Sequence, residues 1–257
     1  RSGIKRILMD ELTLLADLHK AGLRQGPGSP DVTRRATMLA GLDGSRPLEI
    51  ADIGCGTGGA SLELARMLNA RITAVDFLPS FLDVLRQRAQ AQGLGERIMT
   101  LEASMDALPF TDASFDVIWS EGAVYNMGFE VGIAAWKRFL KPGGKLVLSE
   151  ITWTTAARPQ TITDYWTAQY PEIDTASAKL AVLERHGYRP EGYFLLPPCC
   201  WQEHYYGPLR ERFPAFLDRH GHSPQAAAIV AAEEEEMALY QKYGQFYSYG
   251  MYVAAKV

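Results

Sequence analysis

The sequence predicts an α/β domain in which helices cover both faces of a mostly parallel β-sheet. Two observations carry this prediction. Short apolar segments alternate with amphipathic segments of ten or more residues between Pro47 and Trp153. The first apolar segment ends in the glycine-rich turn ADIGCGTGGA, residues 51–60, from which a helix is expected to begin.

The elements of this core are bounded by residues that favour turns. We predict five strands, at 47–54, 71–77, 97–104, 114–122 and 144–153. We predict three helices between them, at 59–70, 78–94 and 128–140. The Lys-Pro-Gly-Gly segment at 141–144 is expected to end the third helix and to start the fifth strand.

Segments on either side complete a single domain, residues 1–257. Residues 1–46 form a helical extension, 47–153 the cofactor-binding core, and 154–257 the substrate side. In the last part we predict an irregular stretch, a helix, a sixth strand, an insertion of about 50 residues and a final strand; these are expected at 154–174, 176–188, 191–197, 198–245 and 246–257. A loop-rich insertion this late in such a fold is expected to cover the binding crevice as a lid.

Composition argues against several classes of partner. The net charge of −4 argues against a nucleic-acid-binding protein, which usually carries a basic surface. No apolar run approaches the roughly 20 residues of a membrane helix, and the N-terminus lacks the apolar core of a secretory signal. Three cysteines, two of them adjacent, give no disulfide framework, so we expect a reducing, cytoplasmic location. The sequence leaves open whether the protein forms a homodimer.

The glycine turn satisfies two cofactor patterns at once. Gly54, Gly56 and Gly59 give the G-x-G-x-x-G spacing of a dinucleotide turn, whereas Gly54, Gly56 and Gly58 give G-x-G-x-G. Glycine allows positive φ angles and lets a ligand approach the backbone. The amides of the following helix would then face that ligand.

Two carboxylates help to choose the cofactor. Asp52 precedes Gly54 by two residues, where it would repel a pyrophosphate but attract the cationic S-adenosylmethionine. Asp76, at the end of the second strand, can accept hydrogen bonds from ribose hydroxyls. Both cofactors contain ribose, so Asp76 supports a nucleoside without distinguishing between them.

Five ordered segments between residues 47 and 153 resemble the class I S-adenosylmethionine-dependent methyltransferases, especially the small-molecule enzymes of ubiquinone and menaquinone biosynthesis. The segments are ADIGCGTGG, AVDF, ASMDALPF, SFDVIWSEGAVYNM and LKPGGKLVLSE. The resemblance implies a Rossmann-like sheet of seven strands, the last antiparallel between the fifth and sixth. It also implies methyl transfer from S-adenosyl-L-methionine to a small organic molecule. A non-catalytic S-adenosylmethionine-binding protein and an NAD-dependent oxidoreductase are the alternatives.

The resemblance implies a cofactor site drawn from the glycine turn and the strand ends that follow it. The implied contacts are Asp52, Gly54, Cys55, Gly56, Gly58, Asp76, Phe77, Ser104, Met105, Asp106 and Ser120. Among them, Asp52 orients the amino end of the cofactor, Asp76 binds the ribose and Phe77 packs on the adenine. Asp52 as a turn cap and Phe77 as a core residue are the local alternatives. The loop at 24–31, with Gly28, is expected to close over the cofactor or to serve only as a connector.

The candidate catalytic residues are Glu121, Tyr125 and His204. Glu121 and Tyr125 follow the fourth strand, at the sheet edge where ligands bind, and a carboxylate there favours an amine or hydroxyl substrate. Its alternative is a contact with a loop backbone or a local arginine. His204 is a candidate base or a structural histidine, and its spacing from Cys199 and Cys200 does not fit a metal site.

Two further features of the substrate side are left open. Residues 153–206 are rich in aromatic side chains, which would line a pocket for a hydrophobic or cationic substrate or form the core of the insertion. The acidic run at 233–236 is interpreted as the solvated face of a helix.

Overall fold

A central β-sheet forms the framework of the chain in a computed structural model that describes residues 2–257, with side chains from Met9 onward. Arg1, in the predicted extension, lies outside the described residues. The strands are β1 (Leu48–Ile53), β2 (Ala70–Asp76), β3 (Ile98–Glu102), β4 (Phe115–Glu121), β5 (Leu140–Trp153), β6 (Asp174–Thr175), β7 (Tyr188–Leu195) and β8 (Tyr247–Lys256). The helices are α1 (Ser2–His19), α2 (Pro30–Leu39), α3 (Gly59–Met67), α4 (Pro79–Ala91), α5 (Phe129–Trp136), α6 (Gln160–Gln169), α7 (Ala176–Arg185), α8 (Pro198–Trp201), α9 (Gly207–Arg219) and α10 (Pro224–Tyr243).

The strand order of the sheet is β3-β2-β1-β4-β5-β8-β7, and the two-residue strand β6 pairs with the end of β5. Strands β1 to β5 are parallel, whereas β8 runs antiparallel to both β5 and β7. The predicted doubly wound fold with an antiparallel last strand is therefore confirmed. Strand order reverses between β1 and β4, so their carboxyl ends meet at the point where ligands bind in such sheets.

Burial on both faces of the sheet explains why the core strands read as continuous apolar segments. Ile50, Val117 and Val147 belong to one buried hydrophobic cluster. Their neighbours Ile118 and Leu148 belong to a second cluster. Successive residues point to opposite faces of a strand, so helices must cover both faces.

Two predictions about the substrate side were wrong. The stretch at 154–174 was expected to be irregular but contains α6. Only Ile162 of this helix is buried, so there is no repeat of buried residues at the spacing that identifies an amphipathic helix. Trp166 of this helix packs against the Tyr247 ring, 5.2 Å between centroids, so tertiary contact supports a helix that the pattern does not reveal. The insertion expected to be loop-rich consists of α8, a π-helical turn at Gln202–Tyr206, α9 and α10.

The Lys-Pro-Gly-Gly segment also differs from expectation. Helix α5 ends at Trp136 and a short 3₁₀ turn follows it at Lys137–Phe139. Strand β5 already begins at Leu140, and the segment forms a bulge where the pairing with β4 shifts register. Among the described residues, no helix is both long and apolar enough to span a membrane.

Candidate cofactor and active site

A cavity of about 620 Å³ opens where the carboxyl ends of β1, β2 and β4 meet. Its wall also includes the loop between α1 and α2. The predicted site residues in this wall are Asp52, Gly54, Cys55, Gly56, Asp76, Phe77, Ser104, Met105, Asp106, Glu121 and Tyr125. The fold therefore brings most of the predicted site into one cavity.

The glycine turn is fixed against the end of β2. The amides of Gly54 and Cys55 both donate to the carbonyl oxygen of Val75, at 2.8 and 2.9 Å. Gly54 has a φ of +73°, and a Cβ there would lie 2.4 Å from the Cβ of Ala123. Only glycine fits, because both the backbone angle and the close approach exclude a side chain.

The Asp76 carboxylate holds the turn from the opposite side. Its Oδ2 accepts from the amide of Gly56 at 2.9 Å, and its Oδ1 accepts from the amide of Leu78 at 3.0 Å. Burial raises the pKa of Asp76, and these two amides oppose that rise. Asp76 thus shapes the glycine turn as well as facing the cavity.

Asp52 is part of the cavity wall and has only 1% of its surface exposed. Its Oδ2 accepts a hydrogen bond from the hydroxyl of Ser61 on α3, at 2.6 Å. Burial raises the pKa of Asp52 to about 7, the nearby Glu121 adds to the rise, and the hydrogen bond from Ser61 opposes it. A cationic group entering the cavity would favour the ionised carboxylate.

The outer wall carries the residues expected around an adenine. Phe77 is 51% exposed and lies in the cavity wall, so it is not a residue of the hydrophobic core. Ser104 donates to Asp106 on the loop after β3. The indole of Trp136 donates to the carbonyl oxygen of Met105 at 3.0 Å and holds this loop in place.

Two predicted cofactor contacts, Gly58 and Ser120, are not part of the described cavity wall. A Cβ on Gly58 would lie 2.1 Å from Cδ1 of Leu85, so this glycine allows α3 to start close to α4. The Ser120 side chain is buried and donates to the carbonyl oxygen of Ile53 at 2.8 Å, which joins β4 to β1. Both residues serve packing.

Gly28 and His204 also lie outside the cavity wall. A Cβ on Gly28 would lie 3.0 Å from Nη1 of Arg24, so this glycine makes room for the arginine. His204 is an exposed residue of the π-helical turn and does not reach the cavity, which corrects its assignment as a catalytic base. The spacing within CCWQEHYYGP did not reveal which side of the helix it would occupy.

The loop between α1 and α2 contributes Arg24, Gln25, Gly26 and Pro27 to the wall. Oε1 of Gln25 accepts from the Thr57 amide at 2.9 Å, and Nε2 donates to the Thr57 hydroxyl at 2.8 Å. The loop is therefore bound to the glycine turn and is more than a connector.

Gly59 makes room for this same loop. A Cβ on Gly59 would lie 2.7 Å from Cγ of Arg24 and 3.0 Å from the carbonyl oxygen of Leu23. The third glycine of the dinucleotide-like spacing thus admits the N-terminal segment, beyond allowing a helix to start near the sheet.

Glu121 is bound by three donors from its own protein. Arg24 forms an ion pair with it, and both side chains are about nine-tenths buried. The Thr33 hydroxyl and the Trp119 indole donate to Oε1 at 2.7 and 3.0 Å. Glu121 therefore has an arginine partner, as the alternative expected, but the arginine is distant in sequence and not local. Glu121 remains in the cavity wall. Sequence reasoning missed Thr33 and this pairing, because nothing local links residues 97 positions apart.

The order of strands, the glycine turn after β1 and the acidic residue at the end of β2 define the class I methyltransferase fold. Residues 50–144 match a family model described as a methyltransferase domain. Residues 50–144 therefore carry a methyltransferase domain, and the resemblance to the class I S-adenosylmethionine-dependent methyltransferases found in the sequence is confirmed.

Named relatives agree with this placement. The demethylmenaquinone methyltransferase of Thermus thermophilus is 39% identical over 119 residues, which cover 46% of this chain and 52% of the relative. The chain spans about half the length of the curated relatives it matches.

Solved structures share the fold over nearly the whole chain. An S-adenosylmethionine-dependent methyltransferase from Geobacter sulfurreducens, in complex with S-adenosyl-L-homocysteine, has a TM-score of 0.82 and 18% identity, covering 95% of this chain and 98% of that one. The cyclase SpnF has a TM-score of 0.72 and 24% identity, covering 90% and 83%. The same fold thus occurs in proteins named for different reactions.

Proposed function

We propose that this chain binds S-adenosyl-L-methionine in the cavity and transfers its methyl group to a small organic molecule. The charge of the cavity wall carries the proposal. Among the described lining residues the carboxylates are Asp52, Asp76, Asp106 and Glu121, while the one cation, Arg24, is already paired with Glu121. This wall suits a cationic cofactor and would repel the pyrophosphate of a dinucleotide.

Each end of the cofactor has residues suited to it. We assign Asp76 to the ribose hydroxyls and Asp52 to the amino group of the cofactor. Phe77 offers a ring for the adenine, with Asp106 on the loop beside it. The open backbone of the glycine turn leaves space for the methionine part.

Bound S-adenosylmethionine would supply a methyl group on a sulfonium, whose departing thioether needs no proton. The protein must then align the acceptor with that methyl group, an effect worth about 7–11 kcal/mol in favourable cases. Gly122 and Tyr125 follow β4 in the cavity wall and are the residues we assign to the acceptor side. A cytoplasmic location, suggested by the three free cysteines, belongs to the same proposal.

Incubation with methyl-labelled S-adenosylmethionine and a panel of small amines, phenols and quinones tests the activity. Label in an acceptor, with release of S-adenosylhomocysteine, supports methyl transfer. Tight binding of the cofactor without transfer to any acceptor would favour the non-catalytic alternative. Acceptor converted without label would favour a reaction of another kind on the same fold, such as cyclisation.

Replacing Asp76 by asparagine is expected to weaken S-adenosylhomocysteine binding by about 1–3 kcal/mol. The –NH₂ of asparagine would face either the Gly56 amide or the Leu78 amide, which now donate to the two carboxylate oxygens at 2.9 and 3.0 Å. Calorimetric titration measures the change. Glu102→Gln is the matched control, since Glu102 pairs with Asp76 in register but is exposed and is not part of the described cavity wall. Equal affinities for the two variants would remove Asp76 from the cofactor site.

Cofactor affinity is expected to rise with pH because the pKa of Asp52 is raised to about 7. Below this value the carboxyl is neutral and does not attract a cation; above it the charge is present. Between about pH 6 and about pH 8 the resulting gain is at most about tenfold. Asp52→Asn should abolish this part of the pH dependence. Titration of the ligand itself affects wild type and variant equally and therefore cancels in the comparison. If affinity changes with pH in the same way in wild type and in Asp52→Asn, the assignment of Asp52 to the cofactor is contradicted.

A further inference from the structure

The acidic run on α10 has two different faces. Glu234 and Glu235 are exposed, as expected for a solvated helix. Glu233 and Glu236, three residues apart, lie on the same side of the helix and are half-buried. The interpretation of the whole run as a solvated face is therefore wrong for these two residues.

Both inward carboxylates meet polar groups beneath α10. The Tyr206 hydroxyl donates to Oε1 of Glu236 at 2.8 Å. Nε2 of His19 lies 3.2 Å from Oε1 of Glu233. Oε2 of Glu233 is buried without a hydrogen-bond partner, as are Nδ1 of His19 and the hydroxyl of Tyr247, a residue that is completely buried. Buried polar atoms normally have partners, so unpaired ones around two carboxylates leave hydrogen-bonding capacity that a ligand or water would satisfy.

Tyrosine rings connect these carboxylates to the cofactor cavity. Tyr125 is 45% exposed and lies in the cavity wall, so much of its exposed surface faces the cavity. Tyr249 lies just beyond Gly122, since a Cβ on that glycine would be 4.0 Å from the Tyr249 ring. Tyr249 remains half-exposed although β8 has paired strands on both sides. It stacks on Trp201, 5.4 Å between centroids.

The charges of the two glutamates act on two tyrosines, Tyr125 and Tyr205. Burial raises the pKa of Tyr125, and the charges of Glu236 and Glu233 raise it further. Burial also raises the pKa of Tyr205 well above its usual range, again with contributions from both glutamates. Among the described residues, Glu233 meets the imidazole of His19 and Glu236 meets the hydroxyl of Tyr206.

We infer that the methyl acceptor is an amine that is recognised in its ammonium form, held by Tyr125 and Tyr249 and attracted by Glu233 and Glu236. The inference rests on the proposed function, whose acceptor it specifies. Aromatic faces attract cations when water is excluded, and poorly compensated buried carboxylates favour a positive partner. An ammonium nitrogen has no free lone pair, so the bound acceptor first loses a proton, and the freed lone pair then forms the new N–C bond as the C–S bond breaks. The electron pair stays on sulfur, and the proton released from nitrogen passes to solvent.

Choline and its neutral isostere 3,3-dimethylbutan-1-ol form a probe pair that tests this inference. Each is titrated calorimetrically into the protein saturated with S-adenosylhomocysteine. We expect choline to bind at least about tenfold more tightly than the alcohol, because the two differ chiefly in charge. Glu233→Gln and Glu236→Gln should each reduce this preference several-fold. Glu234→Gln and Glu235→Gln, on the exposed face of the same helix, are the matched controls and should leave it unchanged.

S-adenosylhomocysteine affinity in each variant shows whether the fold is intact. Equal affinity for the two probes in the wild type, or equal loss in all four variants, would overturn the inference while leaving cofactor binding in place. Absence of S-adenosylhomocysteine binding in the wild type would overturn the proposed function, and the inference with it.

Discussion

Glu121→Gln is expected to lower the free energy of unfolding by about 3–5 kcal/mol, because it leaves the guanidinium of Arg24 buried without its counter-charge. The two side chains are 10% and 9% exposed. Oε1 of glutamine can still accept from Thr33 and Trp119, so the loss falls on Arg24, which loses both its counter-charge and its acceptor at Oε2. Urea denaturation measures the effect.

Asp83→Asn provides the control for this change. Asp83 pairs with Arg86 on the surface of α4, where both side chains are more than half exposed. Such pairs are worth roughly 0–1 kcal/mol, so this variant should unfold almost like the wild type. A double-mutant cycle with Arg24→Met should recover part of the loss from Glu121→Gln. If Glu121→Gln unfolds normally but transfers methyl groups slowly, Glu121 acts on the substrate and the structural interpretation fails.

Gly54→Ala is expected to destabilise the fold and to reduce cofactor binding together. A φ of +73° costs alanine about 1–2 kcal/mol. The added methyl group would also lie 2.4 Å from the Cβ of Ala123, and relief of such overlap typically costs about 1–3 kcal/mol more. Either shift moves the cavity wall, so affinity for S-adenosylhomocysteine should fall as well.

Gly93→Ala separates these two contributions. Gly93 has a φ of +68° just after α4, and nothing lies within 4 Å of the position that a Cβ would occupy. It should lose only the conformational part and keep normal cofactor affinity. Equal destabilisation by the two substitutions would show that the Ala123 contact imposes no cost.

Local signals in the sequence were sufficient for most of the core. Buried parallel strands need continuous apolar segments, and a strand-to-helix turn at a ligand site needs glycine, so both are visible in consecutive residues. Because parallel strands end at one edge, the same signals also placed Asp52, Asp76 and Glu121 together. The position of β8 depended on the resemblance to a family, since an alternating segment does not by itself name its neighbours.

Features that depend on long-range packing could not be predicted. Arg24 and Glu121 are far apart in the sequence, and only the folded chain shows that they neutralise each other. Glu233 and Glu236 look the same in the sequence as their exposed neighbours. His204 illustrates the reverse error, since a reactive residue type in an aromatic segment lies exposed on the outside of a helix. Which side of a helix a residue occupies can be decided only when the surface that the helix packs against is known.

Calorimetric titration of the purified protein with S-adenosylhomocysteine, and separately with NADH, tests the nature of the cavity most directly. An acidic wall with a buried Asp52 predicts saturable binding of S-adenosylhomocysteine at one site, weakened by Asp76→Asn, and no heat of binding for NADH. Tight binding of NADH with no binding of S-adenosylhomocysteine would contradict the proposal.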